Sequence, residues 1–253
     1  MIRSLDENTN LTLEEYDELA AIESQIWAER LTNPRRLQVI NEDKQAAQEL
    51  GLNRENLSII KYFKERQITF EYGLSLGCGA GRAEREFLKA RLCQKFDAID
   101  ISEGAIAKAT AVAEADVLPI YYSVQDLNFC LLEENKYDLV LAQTFLHHII
   151  NLEYLRDEIY KSLKPNGLLY INDFMGEARF QWHEKRLEYV NKILDVLPES
   201  YRYNYLRENT IKQIERPDGD KLKSPFESIR SDEIIPIFLE KFDVVDAVKP
   251  MLL

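Results

Sequence analysis

The chain has 253 residues, of which 45% are apolar, and its formal net charge is −12. This length fits one large domain, or one domain with a smaller appendage. The charge argues against a nucleic-acid partner, because a nucleic-acid groove usually needs a clustered basic face. The densest basic stretch, from Arg82 to Lys95, also carries glutamates and is typical of a helix surface. The three cysteines lack C-x-x-C spacing, which argues against a disulfide framework or a zinc knuckle.

The sequence shows no sign of a targeting or membrane segment. Its first residues lack the apolar core of a signal peptide, and no apolar run approaches the length of a membrane span. With 9 glycines and 8 prolines, no stretch has the composition of a long disordered tract. We therefore expect a cytoplasmic protein that does not enter a membrane.

The first predicted elements are helical and occupy residues 11 to about 66. Thr12 followed by Glu15 is typical of a capping box, in which each residue satisfies a free backbone amide of the other. Apolar residues then recur at helical spacing until a proline breaks the segment. A further helix is predicted over residues 54–65. We interpret residues 1–66 as an N-terminal helical cap.

From Ile68 onward, strand-like alternation and helical periodicity take turns along the chain. This order predicts an α/β fold with a mostly parallel sheet and helices on both faces. Ligands of such sheets bind beyond the carboxyl ends of the strands. The predicted strands cover residues 68–76, 96–100, 118–123, 137–142 and 167–172. The predicted helices cover residues 83–92, 102–114 and 152–163, with a breaker turn at 164–167.

The sharpest feature is the glycine-rich turn from Ser75 to Gly81, which reads S-L-G-C-G-A-G. It follows a predicted strand and opens a predicted helix. Glycines let the backbone turn tightly and let a ligand approach it closely. The free N–H groups of the following helix can bind an acceptor group. Such turns also occur without a ligand, so the turn alone leaves a purely structural role open.

Asp100 ends the next predicted strand, 19 residues after Gly81. A carboxylate at this place can accept hydrogen bonds from both hydroxyls of an adenosine ribose, as in dinucleotide folds. Capping of the helix that starts at Ser102 is the alternative role. The agreement of strand, turn and spacing favours ribose binding. Asp126 follows the third strand and, taken alone, is typical of a turn cap.

Residues 70–175 resemble the Rossmann-like core of the class I S-adenosylmethionine (SAM)-dependent methyltransferases. The first motif of that family is an acidic residue followed by G-x-G-x-G, and here Ser75 stands in the acidic place. Asp100 matches the acidic strand end of the second motif, and Asp126 matches the third. The resemblance implies SAM as the cofactor and S-adenosylhomocysteine as its product. It implies cofactor contacts from Ser75, Gly77, Cys78, Gly79, Gly81, Asp100, Ile101, Gln125, Asp126, Leu127 and Gln143.

Residues that follow the fourth and fifth strands are expected to face the methyl acceptor. His147 and His148 form a Leu-His-His arrangement that resembles many small-molecule members of the family, and either could be a general base or a packing residue. Asp173 could orient or deprotonate the acceptor, or shape a turn. His183 is a further candidate. The fourth strand is followed neither by the N/D-P-P-Y/F stretch of base-methylating members nor by the carboxylates of metal-dependent ones, so we expect a small-molecule acceptor and no metal.

The function expected from these features is methyl transfer to an oxygen or nitrogen atom of a natural-product or glycan-type small molecule. Two alternatives stay open, namely a non-catalytic SAM-binding scaffold and a nicotinamide-dependent oxidoreductase. The dinucleotide fingerprint places its third glycine where Arg82 stands, which disfavours the oxidoreductase.

Two further regions follow the SAM-binding core of residues 67–175. Residues 176–240 are predicted to form a helical lid over the substrate, and aromatic lids exclude water from a site. Residues 241–253 are interpreted as the last strand region, with a sixth strand at 241–246. The family's sheet usually ends with an antiparallel seventh strand, for which few residues remain, so an open sheet edge and a homodimer are options that the sequence leaves open. The lid and cap aromatics proposed to contact the acceptor are Trp27, Phe180 and Trp182.

Overall fold

The computed structural model describes residues 4–5, 11–33, 59–204, 208–218 and 222–247. Predictions for other positions, such as the first half of the helix predicted over 54–65, lie outside the described residues. Within the described ranges, no helix combines the length and the apolar character that crossing a membrane requires.

The centre of the fold is a five-stranded sheet in which every pair of neighbours runs parallel. The strand order is β3-β2-β1-β4-β5. The strands are β1 (Phe70–Leu76), β2 (Cys93–Asp100), β3 (Ile120–Val124), β4 (Tyr137–Gln143) and β5 (Leu163–Asn172). The observed sheet confirms the predicted Rossmann-like α/β fold, and the five strands differ from the predicted ones only at their ends.

The helices lie before, between and after the strands. They are α1 (Leu13–Thr32), α2 (Ile59–Glu65), α3 (Arg82–Lys89), α4 (Glu103–Ala115), α5 (Leu152–Ser162), α6 (Glu184–Val196), α7 (Glu199–Arg202) and α8 (Ile234–Leu239). Short 3₁₀ turns occupy Leu146–His148, Ala178–Phe180 and Ser231–Glu233.

Both faces of the sheet are covered, as β4 shows. Successive side chains of a strand point to opposite faces. Val140 and Ala142 pack in one cluster with apolar residues of α5 and α8. Leu139 and Leu141 pack in a second cluster with residues of α2 and α3. All four side chains are fully buried, which explains why this strand is a continuous apolar run.

Helix α1 begins with the predicted capping box. The Glu15 N–H donates to Thr12 Oγ1 (3.2 Å), and the Thr12 N–H donates to Glu15 Oε2 (2.8 Å). The helix is tied to the core near its other end, where the Lys108 ammonium donates to the Leu31 carbonyl (2.8 Å). Its Ser24 hydroxyl donates to the backbone carbonyl of the residue after β2 (3.1 Å). These contacts place α1 over the carboxyl ends of the strands.

The breaker turn predicted at residues 164–167 lies inside β5 and not before it. Tyr137 pairs with Leu163, but Leu139 pairs with Leu168, so the four turn residues form an irregularity in the register. Asn166 has a φ of 66° there. Residue types that favour a turn thus bend the strand without ending its pairing with β4.

Two predictions for the C-terminal part are corrected by the structure. Residues 241–247 contain no strand, so the sixth strand predicted at 241–246 is wrong for this stretch. Val244 and Val245 are 64% and 78% exposed, and β-branched residues without a buried face gain little from a strand. Residues 176–240 are only partly helical, because α6 and α7 are followed by a short antiparallel pair, β6 (Tyr203–Asn204) with β7 (Asn209–Thr210).

Candidate functional site

The strand order reverses between β1 and β4, and ligands of open α/β sheets bind in the crevice at such a point. The crevice here is a cavity of about 820 Å³. Most of the predicted site residues line it, namely Ser75, Gly77, Cys78, Gly79, Asp100, Ile101, Asp126, Leu127, Gln143, His147 and His148. Helix α1 adds Tyr16, Glu23, Trp27 and Leu31, and Phe226 comes from the C-terminal part.

The glycine turn is left-handed at three positions, with φ values of 59° at Gly77, 54° at Gly79 and 74° at Gly81. Only glycine adopts this region without strain. At Gly77 a Cβ would lie 2.3 Å from Cγ of Phe145, so the ring of that residue occupies the space of a side chain. At Gly79 the nearest atom would be the end of the Leu31 side chain at 3.2 Å. The turn therefore has no room for a side chain at Gly77, and at Gly79 its backbone lines the cavity.

Asp100 stands at the carboxyl end of β2 and is 9% exposed. Its Oδ2 accepts from the Gly79 N–H (2.8 Å) and its Oδ1 accepts from the Ser102 N–H (2.9 Å). Burial raises the pKa of Asp100, and the two N–H groups oppose that rise. Each oxygen of a carboxylate accepts about two hydrogen bonds. The backbone N–H groups of Gly79, Ser102 and Ile101 therefore leave part of the acceptor capacity of this carboxylate unused.

Gly81 and Gln125 were predicted to contact the cofactor, but neither is part of the cavity wall. Gly81 caps the start of α3, and a Cβ there would lie 2.3 Å from the Tyr122 hydroxyl. The Gln125 side chain is exposed and donates to the Ser123 hydroxyl (3.1 Å). Neither residue therefore contacts the cavity directly.

Asp126 is engaged by the N-terminal helix. The Tyr16 hydroxyl donates to its carboxylate at 2.9 and 3.0 Å, and the Asn128 N–H donates to Oδ1 (2.9 Å). Tyr16 is itself fully buried and stacks on Phe226 with a centroid separation of 5.3 Å. The core and α1 thus form this wall of the cavity together.

Ser75, which takes the acidic place of the first motif, contacts a carboxylate from the next helix. Its hydroxyl donates to Oε2 of Glu84 (3.1 Å), and Glu84 is fully buried. Burial raises the pKa of Glu84. The acidic group missing from position 75 is therefore present in this part of the fold, on α3.

His147 and His148 occupy the 3₁₀ turn that follows β4, and both are 9% exposed. Nδ1 of His147 contacts Oδ1 of Asp173. Burial lowers the pKa of His147, but the hydrogen bonds with Asp173 and Glu227 outweigh it and raise that pKa to about 9. The two imidazoles are neighbours, with ring centroids 4.2 Å apart.

Asp173 lies behind His147 and does not line the cavity. Its side chain is fully enclosed. Its Oδ2 accepts from the N–H groups of Phe145 (2.9 Å) and Leu146 (2.7 Å), and Oδ1 accepts from that of Phe174 (2.7 Å). This carboxylate therefore fixes the turn and the His147 ring, a positioning role in place of direct contact with an acceptor.

Two carboxylates beside the histidines were missed at the level of sequence. Nδ1 of His148 lies 3.0 Å from Oε1 of Glu23, on α1. Oε1 of Glu227 lies 3.4 Å from Nε2 of His147 and 4.0 Å from Nε2 of His148. Glu23 and Glu227 stand far from the histidines along the chain and belong to no motif, so no local signal marked them.

Of the other residues predicted to contact the acceptor, one lines the cavity and three do not. Trp27 lines the cavity, packs edge-on against His148 (5.3 Å between centroids) and donates from Nε1 to Glu23 (2.6 Å). Phe180 and Trp182 pack on each other, away from the cavity wall. His183 is exposed and caps the start of α6. Among the described residues, His147, His148 and Glu227 are the group whose ligand atoms all lie within 4.8 Å of one another and could hold a metal ion.

Comparison with known proteins adds a family match and several relatives. Residues 74–171 match the family model described as "Methyltransferase domain". Phosphoethanolamine N-methyltransferase 2 of Caenorhabditis elegans is 31% identical over 140 residues, 54% of this chain and 31% of that protein. The human mitochondrial arginine-hydroxylase NDUFAF5 is 29% identical over 112 residues, 44% of this chain and 31% of that protein. A ubiquinone biosynthesis O-methyltransferase of Coxiella burnetii is 27% identical over 115 residues, 45% of this chain and 48% of that protein. The chain thus matches between 31% and 48% of the length of these curated relatives.

Proposed function

Because residues 74–171 match the family model described as "Methyltransferase domain", we propose that this protein transfers the methyl group of SAM to an oxygen or nitrogen atom of a small molecule. The observation that carries this proposal is the pairing of the glycine turn with Asp100 on one wall of a single cavity. Two of the relatives are named as an N-methyltransferase and an O-methyltransferase, which supports a nitrogen or oxygen acceptor.

The cofactor side of the proposal rests on complementary hydrogen bonding. The Asp100 carboxylate keeps acceptor capacity beyond its backbone N–H partners, and ribose offers two adjacent hydroxyl donors. The backbone at Gly79 allows the rest of the cofactor to approach the turn without meeting a Cβ, since only the end of the Leu31 side chain lies near that position. Ile101 and Leu127 supply apolar walls for the adenine. The nicotinamide alternative is disfavoured because Arg82 occupies the place of the third fingerprint glycine.

The acceptor side is assigned to the wall that carries His147, His148 and Glu227. Methyl transfer from SAM is an in-line displacement at an already activated carbon, so alignment of the acceptor supplies much of the acceleration. The imidazoles are held rigidly by Asp173 and Glu23, and rigid groups position a bound acceptor best. Helix α1 closes the cavity above them and limits access of water.

The test is transfer of label from methyl-labelled SAM to a panel of amines, phenols and aliphatic hydroxyl compounds. We expect labelled product and an equal amount of S-adenosylhomocysteine with at least one class. His148→Asn is expected to lower transfer while leaving SAM affinity within a few-fold, whereas the exposed control His183→Asn changes neither. SAM binding without transfer to any acceptor would favour the non-catalytic scaffold and overturn the enzymatic proposal.

A further inference from the structure

The acceptor wall has the geometry of a metal centre with three protein ligands. Oε1 of Glu227 lies 3.4 Å from Nε2 of His147 and 4.0 Å from Nε2 of His148. A tetrahedral ion held at 2.0–2.1 Å separates its ligands by about 3.4 Å. The distance between Glu227 and His147 already equals this separation. A small rotation of the rings or of Glu227 would bring the other ligand atoms to it. All three ligand atoms lie within 4.8 Å of one another.

The other nitrogen of each imidazole is held by a carboxylate. His147 uses Nδ1 to contact Asp173, and His148 uses Nδ1 to contact Glu23. Metal-binding histidines are typically oriented in this way, because a carboxylate on one ring nitrogen directs the other toward the ion. Glu23 is fixed in turn by the Ser224 hydroxyl, which donates to its Oε2 (2.6 Å).

A second, independent observation concerns His148. Its Nε2 is buried and has no hydrogen-bond partner among the described residues. The residue is only 9% exposed, so bulk water does not supply the missing partner. A buried polar atom without a partner costs free energy. This nitrogen faces Glu227 across a gap of 4.0 Å, which is too long for a hydrogen bond but spans the place that an ion would occupy.

The charge of the wall agrees with a cation. Glu23, Asp173 and Glu227 contribute three carboxylates, and the Arg30 guanidinium lies 3.6 Å from Glu227. A metal ligand uses a neutral imidazole, and with both imidazoles neutral these groups would leave an excess of two negative charges in a largely enclosed region. Without a metal, a proton on His147 offsets part of that excess. Buried charges are expensive unless they are paired or coordinate a metal. A divalent ion would cancel this excess.

We propose that Nε2 of His147, Nε2 of His148 and the Glu227 carboxylate bind a divalent first-row transition-metal ion. Imidazole ligands favour zinc, copper, iron or nickel over calcium, magnesium and manganese. Three protein ligands leave an open coordination position toward the cavity, which suits an oxygen atom of the acceptor. Binding of the acceptor to the metal rests on the proposed function, whereas metal binding itself does not. The sequence predicted no metal because no carboxylate follows the fourth strand, and the structure supplies that carboxylate from residue 227.

The test uses tag-free protein, stripped with a chelator and titrated with Co²⁺, whose visible absorption reports coordination by nitrogen and oxygen. We expect one ion per chain. Glu227→Gln and His148→Asn are each expected to weaken binding by more than about 100-fold, and Glu23→Gln by about 10- to 100-fold. The chain has three histidines, so His183→Asn is the matched control and is expected to bind Co²⁺ as the wild type does.

Thermal unfolding with Zn²⁺ gives a second readout that needs no variant, because an ion that binds only the folded state raises the midpoint. Absence of saturable Co²⁺ binding and of a Zn²⁺-induced rise in wild-type protein would overturn the proposal. Co²⁺ binding that survives in folded Glu227→Gln and His148→Asn would also overturn it. SAM titration of the stripped protein tests the proposed function separately, so failure of one claim can be told from failure of the other.

Discussion

Asp100 illustrates how one buried carboxylate can serve the fold and a ligand together. Asp100→Ala removes the acceptor of the ribose hydroxyls and is expected to weaken SAM binding by about 1.5–3 kcal/mol, or roughly 10- to 150-fold. Calorimetric titration measures this loss, with the exposed Asp195→Ala as control. Circular dichroism checks the fold, since Asp100 also accepts the N–H groups of Gly79 and Ser102. Unchanged affinity in a folded variant would refute the assigned role.

Gly77 and Gly79 share a left-handed backbone but differ in the space around them. A Cβ at Gly77 would lie 2.3 Å from Phe145, whereas one at Gly79 meets only the flexible end of Leu31 at 3.2 Å. Both alanine variants carry the backbone strain of about 1–2 kcal/mol. Gly77→Ala alone adds overpacking, of about 1–3 kcal/mol.

Urea unfolding of the two variants isolates this difference. We expect Gly77→Ala to lose more free energy of unfolding than Gly79→Ala. Equal losses would mean that the Phe145 ring moves aside freely, and that the close packing inferred here does not constrain position 77.

Glu84 predicts a pH dependence of stability. Burial raises its pKa above the usual 4.5, so the folded protein holds this proton more tightly than the unfolded chain does. Stability is therefore lost as the pH rises from 4.5 through the folded pKa. Arg85 lies near enough to oppose the shift, and Ser75 donates to the carboxylate.

Glu84→Gln removes this titration while keeping the shape of the side chain. Urea unfolding at pH 5 and at pH 8 should show the variant gaining in free energy of unfolding relative to wild type as the pH rises. Parallel pH profiles of the two proteins would show that the pKa of Glu84 is not raised by folding.

At the scale of elements, the attachment of α1 depends on Tyr16. Its hydroxyl donates to Asp126 and accepts from Nδ2 of Asn128 (2.8 Å). Tyr16→Phe removes one hydrogen bond from Asp126 and one from Asn128, and is expected to lower the free energy of unfolding by about 1–3 kcal/mol. Amide hydrogen exchange should show faster opening of α1. The control is Tyr189→Phe, at a position that is 64% exposed, and an equal effect of both variants would contradict the role of Tyr16.

The strands and helices of the core could be predicted because their signals are local. Alternation, a capping box and a glycine turn each identify an element from a few neighbouring residues. The prediction failed at residues 241–246, where an apolar pattern has no sheet partner among the described residues and Val245 remains 78% exposed. It also failed to place residues 164–167, since pairing with β4 continues on both sides of the turn.

The residues of the site likewise differ in whether a local sequence pattern marks them. Asp100 and the glycine turn carry their own spacing and could be found from sequence. Glu23 and Glu227 come from segments before and after the core, and only the folded chain brings them to the histidines. Asp173 was found as a strand-end carboxylate, but its burial behind His147 depends on the backbone of the 3₁₀ turn.

At the scale of the whole molecule, one cavity combines walls from three parts of the chain. The sheet supplies the glycine turn and Asp100, α1 supplies Tyr16 and Glu23, and the C-terminal part supplies Phe226. The central claim is that this cavity accepts an adenosine cofactor with a methionine tail, in preference to a dinucleotide.

Calorimetric titration of the wild-type protein with S-adenosylhomocysteine and, separately, with NAD tests that claim most directly. We expect saturable binding of one S-adenosylhomocysteine per chain and no measurable heat of binding with NAD. Binding of NAD with no response to S-adenosylhomocysteine would contradict it.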